Sequence, residues 1–422
     1  MSVAELTKIV SPAFTETVLL DIIGRKHPLK DLQILEIEID NAGTKKGDSY
    51  LSTISRFKIT ASGVNDGGKT EKVMIPVIVK FFPKNVPRQK TFRSAEFFKT
   101  EIQFYSLVWP EMQKTKLEKH QDEPDIVPLY LAGYVDGQND FIALEDLSYD
   151  HFKSSGRNDD ITREKLSVFL KTLAHFHALG IATKLRNPDF ENIASSALEE
   201  TYFAERLRSW YENFMYQSMR PKYIQAAKAL LPSKYEKKIS DLFSKDLFGE
   251  AIKCCIARNK LTSVTEGDSW LPNFMFKEEN GQLRAMLIDF QLARYGPITN
   301  DLLHFLISGG PEQLLENHWD ELIAEYHQYL SEKIEQLTGK KDYITLEEIH
   351  DQIRKYPYVG VVMALESTLM SLLKDNEVAD LDFLEGNDAY PLEVVWKLPD
   401  FDQPRIQRLA FLVKLFVEKG LI

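Results

Sequence analysis

The stretch Thr265–Phe276, TEGDSWLPNFMF, places Glu266, Asp268 and Asn273 among aromatic and aliphatic side chains. Charged groups in an apolar stretch are costly unless they are paired or bound to a cation. Pro272 disfavours a continuous helix and directs the chain into a loop. The stretch therefore predicts a loop whose acids have a partner, either a hydrogen-bonding group or a cation.

A further acid follows in the same region. Asp289 comes sixteen residues after Asn273, in MLIDFQL, which alternates as a strand does. Two carboxylates and a carboxamide oxygen are thus predicted at loop and strand-end positions of one small β element. Hard oxygen ligands of this kind suit Mg²⁺, which keeps several waters and completes its shell with phosphates. The alternatives are a loop cap for Asp268 and a buried, hydrogen-bonded Asp289.

A second pair of charges lies upstream. Lys80 is the one ammonium in the strand-like run VIVKFF, and Glu101 lies on the apolar stripe of a helix between Phe97 and Tyr105. Each group needs a partner, so we predict that they pair. A strand lysine held by a helix glutamate is the device by which kinase-like lobes position a lysine on nucleotide phosphates. The alternatives are an edge lysine that reaches water and an ion pair without a ligand.

The two halves of the chain differ in pattern. Residues 1–147 are predicted mostly as strands, with one helix whose N-cap is Ser94; the strand-like stretches are LQILEIEID, ISRFKITASG, KVMIPVIVKFF, VPLYLAGYV and FIALEDL. Residues 148–422 are dominated by long helical patterns. We therefore predict an α+β fold with a β-rich N-lobe (1–147) that binds nucleotide phosphates. The larger helical C-lobe (148–422) would carry the catalytic loop, the metal site and the acceptor pocket.

Phosphoryl transfer requires a cation on the phosphates, metal ligands, and a carboxylate that orients the attacking hydroxyl. Lys80 with Glu101, Asn273 with Asp289, and Asp268 supply these parts. At these residues, GDSWLPNFMF…LIDFQLARYGPITNDLLHFL resembles the ecdysteroid kinase-like family of small-molecule kinases. These are relatives of choline kinases and aminoglycoside phosphotransferases. The resemblance extends upstream through LEDL, TEIQFY and VKFFP to about Gly47.

The resemblance implies a two-lobed protein-kinase-like fold that uses ATP and Mg²⁺. It implies that Asp268 is the catalytic residue and that Asn273 and Asp289 bind the metal. It also implies that Lys80 contacts the phosphates and that adenine meets the backbone near Glu145–Leu147. The expected acceptor is a small-molecule alcohol, and the family name suggests a steroid hydroxyl by analogy.

One residue departs from the family pattern H-G-D-x-W-x-x-N, because Glu266 stands where the family has His. An ionised Glu accepts hydrogen bonds but does not donate them. It also adds negative charge two residues from Asp268, which would raise the pKa of that group. This departure keeps open a second interpretation, a pseudokinase that binds nucleotide or a small ligand without transferring phosphate.

Other motifs are less specific. Ser49, beside Gly47, lies where the phosphate-covering loop is expected, although an ordinary turn is equally compatible with the sequence. His175 and His177 are two residues apart on a helix, so they point to different faces and are predicted to serve packing or a polar network. Asp301 is predicted as a helix N-cap, and the resemblance suggests that it also braces the catalytic loop.

Composition and sequence patterns limit the binding partners and the cellular location that can be expected. A net charge of −11 argues against bulk binding of nucleic acid or an anionic membrane. The longest apolar runs are far shorter than a membrane span. The two cysteines are adjacent and there is no signal-peptide pattern at the start, so a reducing, cytoplasmic location is expected. The sequence does not indicate an oligomeric state.

Rival enzyme classes lack their motifs. The chain has no G-x-x-x-x-G-K-[ST], which excludes a P-loop NTPase, and no strand-linked G-x-G-x-x-G for a Rossmann enzyme. A glycosidase using Asp268 and Asp289 as its two carboxylates would leave Lys80 and Glu101 unexplained.

Overall fold

The computed structural model describes residues 1–40, 51–118, 123–157 and 159–422. The chain divides into two compact units. The first comprises Met1–Ser106, Val127–Lys153 and Val378–Tyr390, and the second comprises Leu107–Ile126, Ser154–Glu377 and Pro391–Ile422. Compared with the predicted lobes, residues 107–126 thus pack with the second unit and residues 378–390 with the first. The functions assigned to the two lobes stay predictions.

The first unit is built on a five-stranded antiparallel sheet in the order β1-β2-β3-β5-β4. The strands are β1 (Lys30–Asp40), β2 (Thr53–Val64), β3 (Thr70–Phe81), β4 (Tyr130–Tyr134) and β5 (Phe141–Glu145). All five coincide with stretches that are strand-like in the sequence. The turn at NDGG, residues 65–68, joins β2 to β3, with Val64 opposite Thr70.

Four helices accompany this sheet: α1 (Val3–Ile9), α2 (Glu16–Lys26), α3 (Val86–Thr91) and α4 (Ser94–Gln103). Only α4 is evident in our sequence analysis. The first two helices bury Leu6, Leu19 and Ile22 against one face of the sheet. A signal for α1 exists, because Ser2 and Glu5 form a capping box.

The predicted N-cap of α4 is wrong. The cap residue is Arg93, with a left-handed φ of 49°, and Ser94 is the first helical residue. The Ser94 hydroxyl is buried and donates to the Leu51 carbonyl at 3.0 Å, so it is not available to cap the helix. The predicted apolar stripe is nevertheless correct, since Phe97, Glu101 and Tyr105 are all buried.

The second unit is mainly helical. Its helices are α5 (Trp109–Glu118), α6 (Arg163–Arg186), α7 (Phe190–Ala197), α8 (Arg208–Asn213), α9 (Arg220–Leu230), α10 (Ser233–Ser244), α11 (Leu247–Ile256), α12 (Thr299–Gly309), α13 (Glu312–Asn317), α14 (Trp319–Thr338), α15 (Leu346–Lys355), α16 (Tyr358–Ser371), α17 (Leu392–Val395) and α18 (Gln403–Glu418). Two of the long helical patterns, at residues 311–337 and 345–373, are each split into two helices, at His318 and at Tyr356–Pro357. Proline explains the second break, because it removes a backbone donor and disfavours helix in the preceding residue.

Short strands complete the fold. They are β6 (Lys153–Ser154), β7 (Thr262–Thr265), β8 (Phe274–Glu279), β9 (Gln282–Leu287) and β10 (Arg294–Pro297). β7 pairs with β10, and β8 pairs with β9 as a hairpin. The strand predicted through MLIDFQL ends early, at Leu287, because Asp289 has a left-handed φ of 69° and a short 3₁₀ turn follows. Two loops, 266–273 and 288–293, therefore flank this hairpin.

Within the described residues, one helix, α6, is long and apolar enough to cross a membrane, with a mean hydropathy of 1.2 over its most apolar window. Of that window, 78% is buried inside the protein. Burial of this degree is typical of a core helix.

Candidate active site

The loop 266–273 is held by an aspartate from α12. Asp301 accepts the backbone N–H of Glu266 at 2.7 Å and that of Gly267 at 3.1 Å. Gly267 has a φ of 90°, and a Cβ there would lie 1.8 Å from the Leu292 carbonyl oxygen. No residue with a side chain fits that position, so the loop follows one path. The expectation that Asp301 braces this loop is thus confirmed.

Asp301 is itself held by a buried polar network. His177 Nε2 lies 3.1 Å from Asp301 Oδ2, and His177 Nδ1 lies 2.7 Å from the Tyr326 hydroxyl. Burial raises the pKa of Asp301, but the bonds from His177 and the two backbone N–H groups outweigh burial and leave it lowered. The predicted polar-network role of His177 is confirmed. His175 lies elsewhere, near Lys333, and burial lowers its pKa to about 4.

Glu266 is fully buried and accepts three hydrogen bonds. The donors are the Asp268 N–H at 2.9 Å, the Ser269 hydroxyl at 3.0 Å and Asn273 Nδ2 at 3.3 Å. Burial, together with the charges of Asp268 and Asp301, raises the pKa of Glu266 well above its ordinary value. Glu266 organises the loop by binding its backbone and two of its side chains.

Asp268 is partly exposed, and its carboxylate lies in a strongly negative environment. Burial of that carboxylate and the charges of Asp289 and Glu366 raise its pKa to about 8. Asn273 Nδ2 lies 3.3 Å from Asp268 Oδ2 and 2.9 Å from the Asp268 carbonyl oxygen, which orients the side chain. A carboxyl group whose pKa is raised by burial and by neighbouring acids is characteristic of functional sites.

The residues present fit a divalent cation. Asn273 directs its Nδ2 to Glu266 and Asp268, which leaves its Oδ1 without a donor among the described residues. The charge of Asp289 acts on Asp268. The described residues contain no group of three or more His, Cys, Asp or Glu that would enclose a metal. One carboxamide and one or two carboxylates is the donor set of Mg²⁺ rather than of a fully protein-bound ion.

The predicted ion pair of Lys80 and Glu101 lies in the first unit. Lys80 Nζ donates to Glu101 Oε1 at 2.8 Å, and the two side chains are 12% and 3% exposed. The predicted pairing is therefore confirmed. The sheet fixes the lysine, because Lys80 in β3 lies opposite Ile54 on one side and Ile142 on the other. Whether the lysine contacts phosphate stays a prediction.

Some backbone groups at the end of β5 are already hydrogen-bonded within the protein. The Glu145 N–H donates to the Leu129 carbonyl at 3.0 Å, and the Glu145 side chain pairs with Lys26 at 2.7 Å. The Leu147 N–H has no acceptor among the described residues. Of the residues predicted to contact adenine, Leu147 is thus the one with a free donor. The predicted phosphate contact, Ser49, lies outside the described residues.

Sequence reasoning missed one buried group in the second unit. Glu366 in α16 is 8% exposed and accepts hydrogen bonds from the hydroxyls of Tyr202, at 2.8 Å, and Tyr211. Glu366 is the one charged residue in the apolar helix stretch GVVMALESTLM, just as Lys80 is the one charged residue in an apolar strand, so the sequence contained a signal for it.

A lysine–glutamate pair in a β-rich unit and an Asp–Asn–Asp set in a larger helical unit are typical of kinase folds. The chain belongs to the ecdysteroid kinase-like family, whose pattern it matches over residues 46–339. It is thereby one of the small-molecule kinase-like proteins with an α+β, protein-kinase-like fold, as predicted.

Similarity to individual proteins is low. A search of curated proteins finds no match. An ethanolamine kinase from Plasmodium vivax is 13% identical with a TM-score of 0.41, and the match covers 100% of this chain and 96% of that one. A microcompartment-associated aminopropanol kinase is 11% identical with a TM-score of 0.38, over 96% and 99%. APH(2″)-IIIa, in complex with GDP and kanamycin, is 12% identical with a TM-score of 0.33, over 83% and 97%.

Proposed function

We propose that this protein is an ATP-dependent kinase that transfers the γ-phosphoryl group to a hydroxyl of a small-molecule alcohol. The observation that carries the proposal is the loop 266–273, where Asp268 is oriented by Asn273 and braced through Asp301. Membership of a small-molecule kinase-like family supports it.

In the second unit, Asp268 orients the acceptor hydroxyl and accepts its proton. A carboxylate within hydrogen-bond reach of a reacting hydroxyl contributes roughly 10²–10⁴ in rate. Asn273 and Asp289 would hold Mg²⁺, which would neutralise charge on the phosphate oxygens.

In the first unit, Lys80 binds the phosphates of the nucleotide and Glu101 holds Lys80 in place. We assign the adenine contacts to the backbone near Glu145–Leu147, where the Leu147 N–H has no acceptor among the described residues. Ser49 and the backbone beside it are assigned to the phosphates by the family resemblance alone.

The acceptor is proposed as an alcohol, and a steroid hydroxyl of the ecdysteroid type is the first candidate because the family carries that name. We also propose that the protein acts in the cytoplasm.

The test is a phosphorylation screen. The purified protein is incubated with Mg²⁺, ATP and a pooled metabolite extract supplemented with steroid alcohols, and products are identified by the mass added by one phosphoryl group. The Asp268→Asn variant is the matched control. We expect phosphorylated alcohols with the parent protein and at least a hundredfold fewer with the variant.

Glu266 supports the pseudokinase as the second candidate, because an acid replaces the family His in a loop that already holds Asp268. Calorimetric titration with ATP separates the two. ATP binding without transfer to any alcohol in the pool supports the pseudokinase, and transfer that depends on Asp268 excludes it.

A further inference from the structure

Glu366 is a buried carboxylate that the proposed chemistry does not use. Its two oxygens accept hydrogen bonds from Tyr202, at 2.8 Å, and from Tyr211. Within the part of the chain that the structure describes, no Lys, Arg or His forms an ion pair with it. A carboxylate offers about four lone-pair sites, and two neutral hydroxyl donors leave half of them open. We call Glu366, Tyr202 and Tyr211 the Glu366 cluster.

Aromatic rings surround this cluster. The Tyr202 ring centroid lies 4.7 Å from that of Tyr211, 5.2 Å from that of Trp210 and 5.4 Å from that of Phe203. Trp210 is partly exposed, whereas Phe203 and Tyr211 are buried. The aromatic rings beside the carboxylate are thus mostly buried, and Trp210 is the one among these four that is partly exposed.

One chain of contacts joins Glu366 to the catalytic loop. Its neighbour in α16, Ser367, lies 3.0 Å from His304 Nε2 in α12. His304 follows Asp301, which holds the catalytic loop, by three residues on the same helix. The helix α12 therefore contacts both the residue next to Glu366 and, through Asp301, the loop 266–273.

A second chain of contacts approaches from the other side. Glu200 accepts the backbone N–H groups of Tyr202, at 2.8 Å, and Phe203, at 2.9 Å. The same glutamate pairs with Arg294 at 2.9 Å, and Arg294 lies opposite Thr265 in the β7–β10 ladder. Thr265 directly precedes the catalytic loop. The segment that carries Tyr202 is thus fixed relative to Asp268.

We propose that the Glu366 cluster is the anchoring subsite for the acceptor. Glu366 accepts a hydrogen bond from a second donor of the acceptor, separate from the hydroxyl that is phosphorylated. The acceptor is accordingly an alcohol with at least one further hydroxyl or a protonated amine, and its apolar part packs on Tyr202 and Trp210. This inference rests on the proposed function and narrows its substrate class.

A purely structural carboxylate is the competing explanation. Glu325 in α14 provides the comparison, because it too is a glutamate bonded by side-chain hydroxyls, from Ser167 and Tyr329. Glu325 differs in having a cation partner, Arg163. Burying a carboxylate without such a partner is costly, and a donor supplied by the acceptor would offset that cost in the complex.

The experiment measures kinetics with matched acceptors. Each alcohol recovered in the metabolite screen is paired with its analogue that lacks the second donor, and two defined pairs are added: a steroid diol with the corresponding steroid mono-ol, and aminoethanol with ethanol. We compare the parent, Glu366→Gln and the matched control Glu325→Gln. Melting temperatures verify that each variant is folded, and Glu366→Asp, which keeps the charge but withdraws it by one methylene, serves where Glu366→Gln does not fold.

For acceptors with a second donor, we expect Glu366→Gln to raise KM about tenfold or more with little change in kcat, since hydrogen bonds to charged groups are the stronger ones. Glu325→Gln should leave both parameters unchanged. A response confined to the steroid pair identifies a hydroxyl as the second donor, and one confined to the aminoethanol pair identifies an ammonium.

An unchanged KM in folded Glu366→Gln overturns the inference while leaving the proposed function standing, as does a parent that prefers single-donor alcohols. If the parent phosphorylates no alcohol in the pool or the panel, the proposed function fails and the inference fails with it.

Discussion

Replacing Asp301 by Asn tests how the loop 266–273 is held. Asp301 is 2% exposed, and its carboxylate binds the N–H groups of Glu266 and Gly267 and faces His177 Nε2. The two backbone bonds use different oxygens, Oδ2 and Oδ1. An asparagine offers one oxygen, so one backbone N–H would face an NH₂ group in the interior.

The cost follows from these contacts. Losing one hydrogen bond to a charged acceptor costs about 1.5–3 kcal/mol, and the remaining bonds weaken because the acceptor is no longer ionised. We expect the loop to lose roughly 3–5 kcal/mol of local stability. This is a large fraction of the ~5–15 kcal/mol that typically stabilises a folded protein.

Hydrogen exchange is the appropriate assay, because it reports opening of individual segments and does not require two-state unfolding of a chain with two units. Exchange in the peptide covering residues 262–273 should accelerate about a hundredfold to a few thousandfold, at tenfold per 1.4 kcal/mol. The matched control is Asp320→Asn, because Asp320 also lies in the first turn of its helix but is exposed. Exchange in Asp301→Asn that stays within threefold of this control would refute the bracing role.

Four further outcomes are expected. Lys80→Met should weaken ATP binding at least tenfold by calorimetry. The double variant with Glu101→Gln, which leaves no unpaired buried charge, should show the same weakening. An affinity equal to that of the parent in either variant would refute the proposed contact of Lys80 with phosphate. Asp268→Asn should melt at or above the parent temperature, because it removes a charge that its neighbours repel, yet lose at least a hundredfold in turnover; turnover within a factor of two would exclude it as the orienting carboxylate. Glu266→His should stay folded with equal or faster turnover, whereas a tenfold loss at unchanged melting temperature would reveal a specific task for the acid. Burial raises the pKa of Glu366 from 4.5 to about 7, so this group ionises at a lower pH in the unfolded chain than in the folded protein. The parent should therefore lose up to about 3 kcal/mol of folding stability between pH 4.5 and 7 relative to Glu366→Gln. Parallel curves of stability against pH for the two proteins would contradict this.

The sequence was most informative where one charge stood alone in an apolar pattern. Lys80 and Glu101 each lacked a local partner, and the fold pairs them. The alternating strands could be predicted equally well, because a sheet with one buried face imposes a period of two. Helix ends were predicted less well. Ser94 has the residue type of a cap, but its hydroxyl is taken by Leu51, a contact that depends on tertiary packing.

Glu366 shows why the remaining part of the site escaped sequence reasoning. It lies in an apolar helix as Lys80 lies in an apolar strand, but its partners, Tyr202 and Tyr211, are about 160 residues away and carry no charge. Charge pairing can be anticipated because only a few residue types satisfy it, whereas any of seventeen tyrosines can donate to a carboxylate.

Glu266 illustrates the converse. Its departure from the family pattern was visible at once, but its consequence depends on what surrounds it. The loop supplies three donors and no cation, and two further acids lie beside it. Such surroundings raise the pKa of Glu266 and disfavour its ionised form. Glu266 nevertheless organises the loop through three accepted hydrogen bonds, and this is the physical reason to expect that the loop still supports phosphoryl transfer.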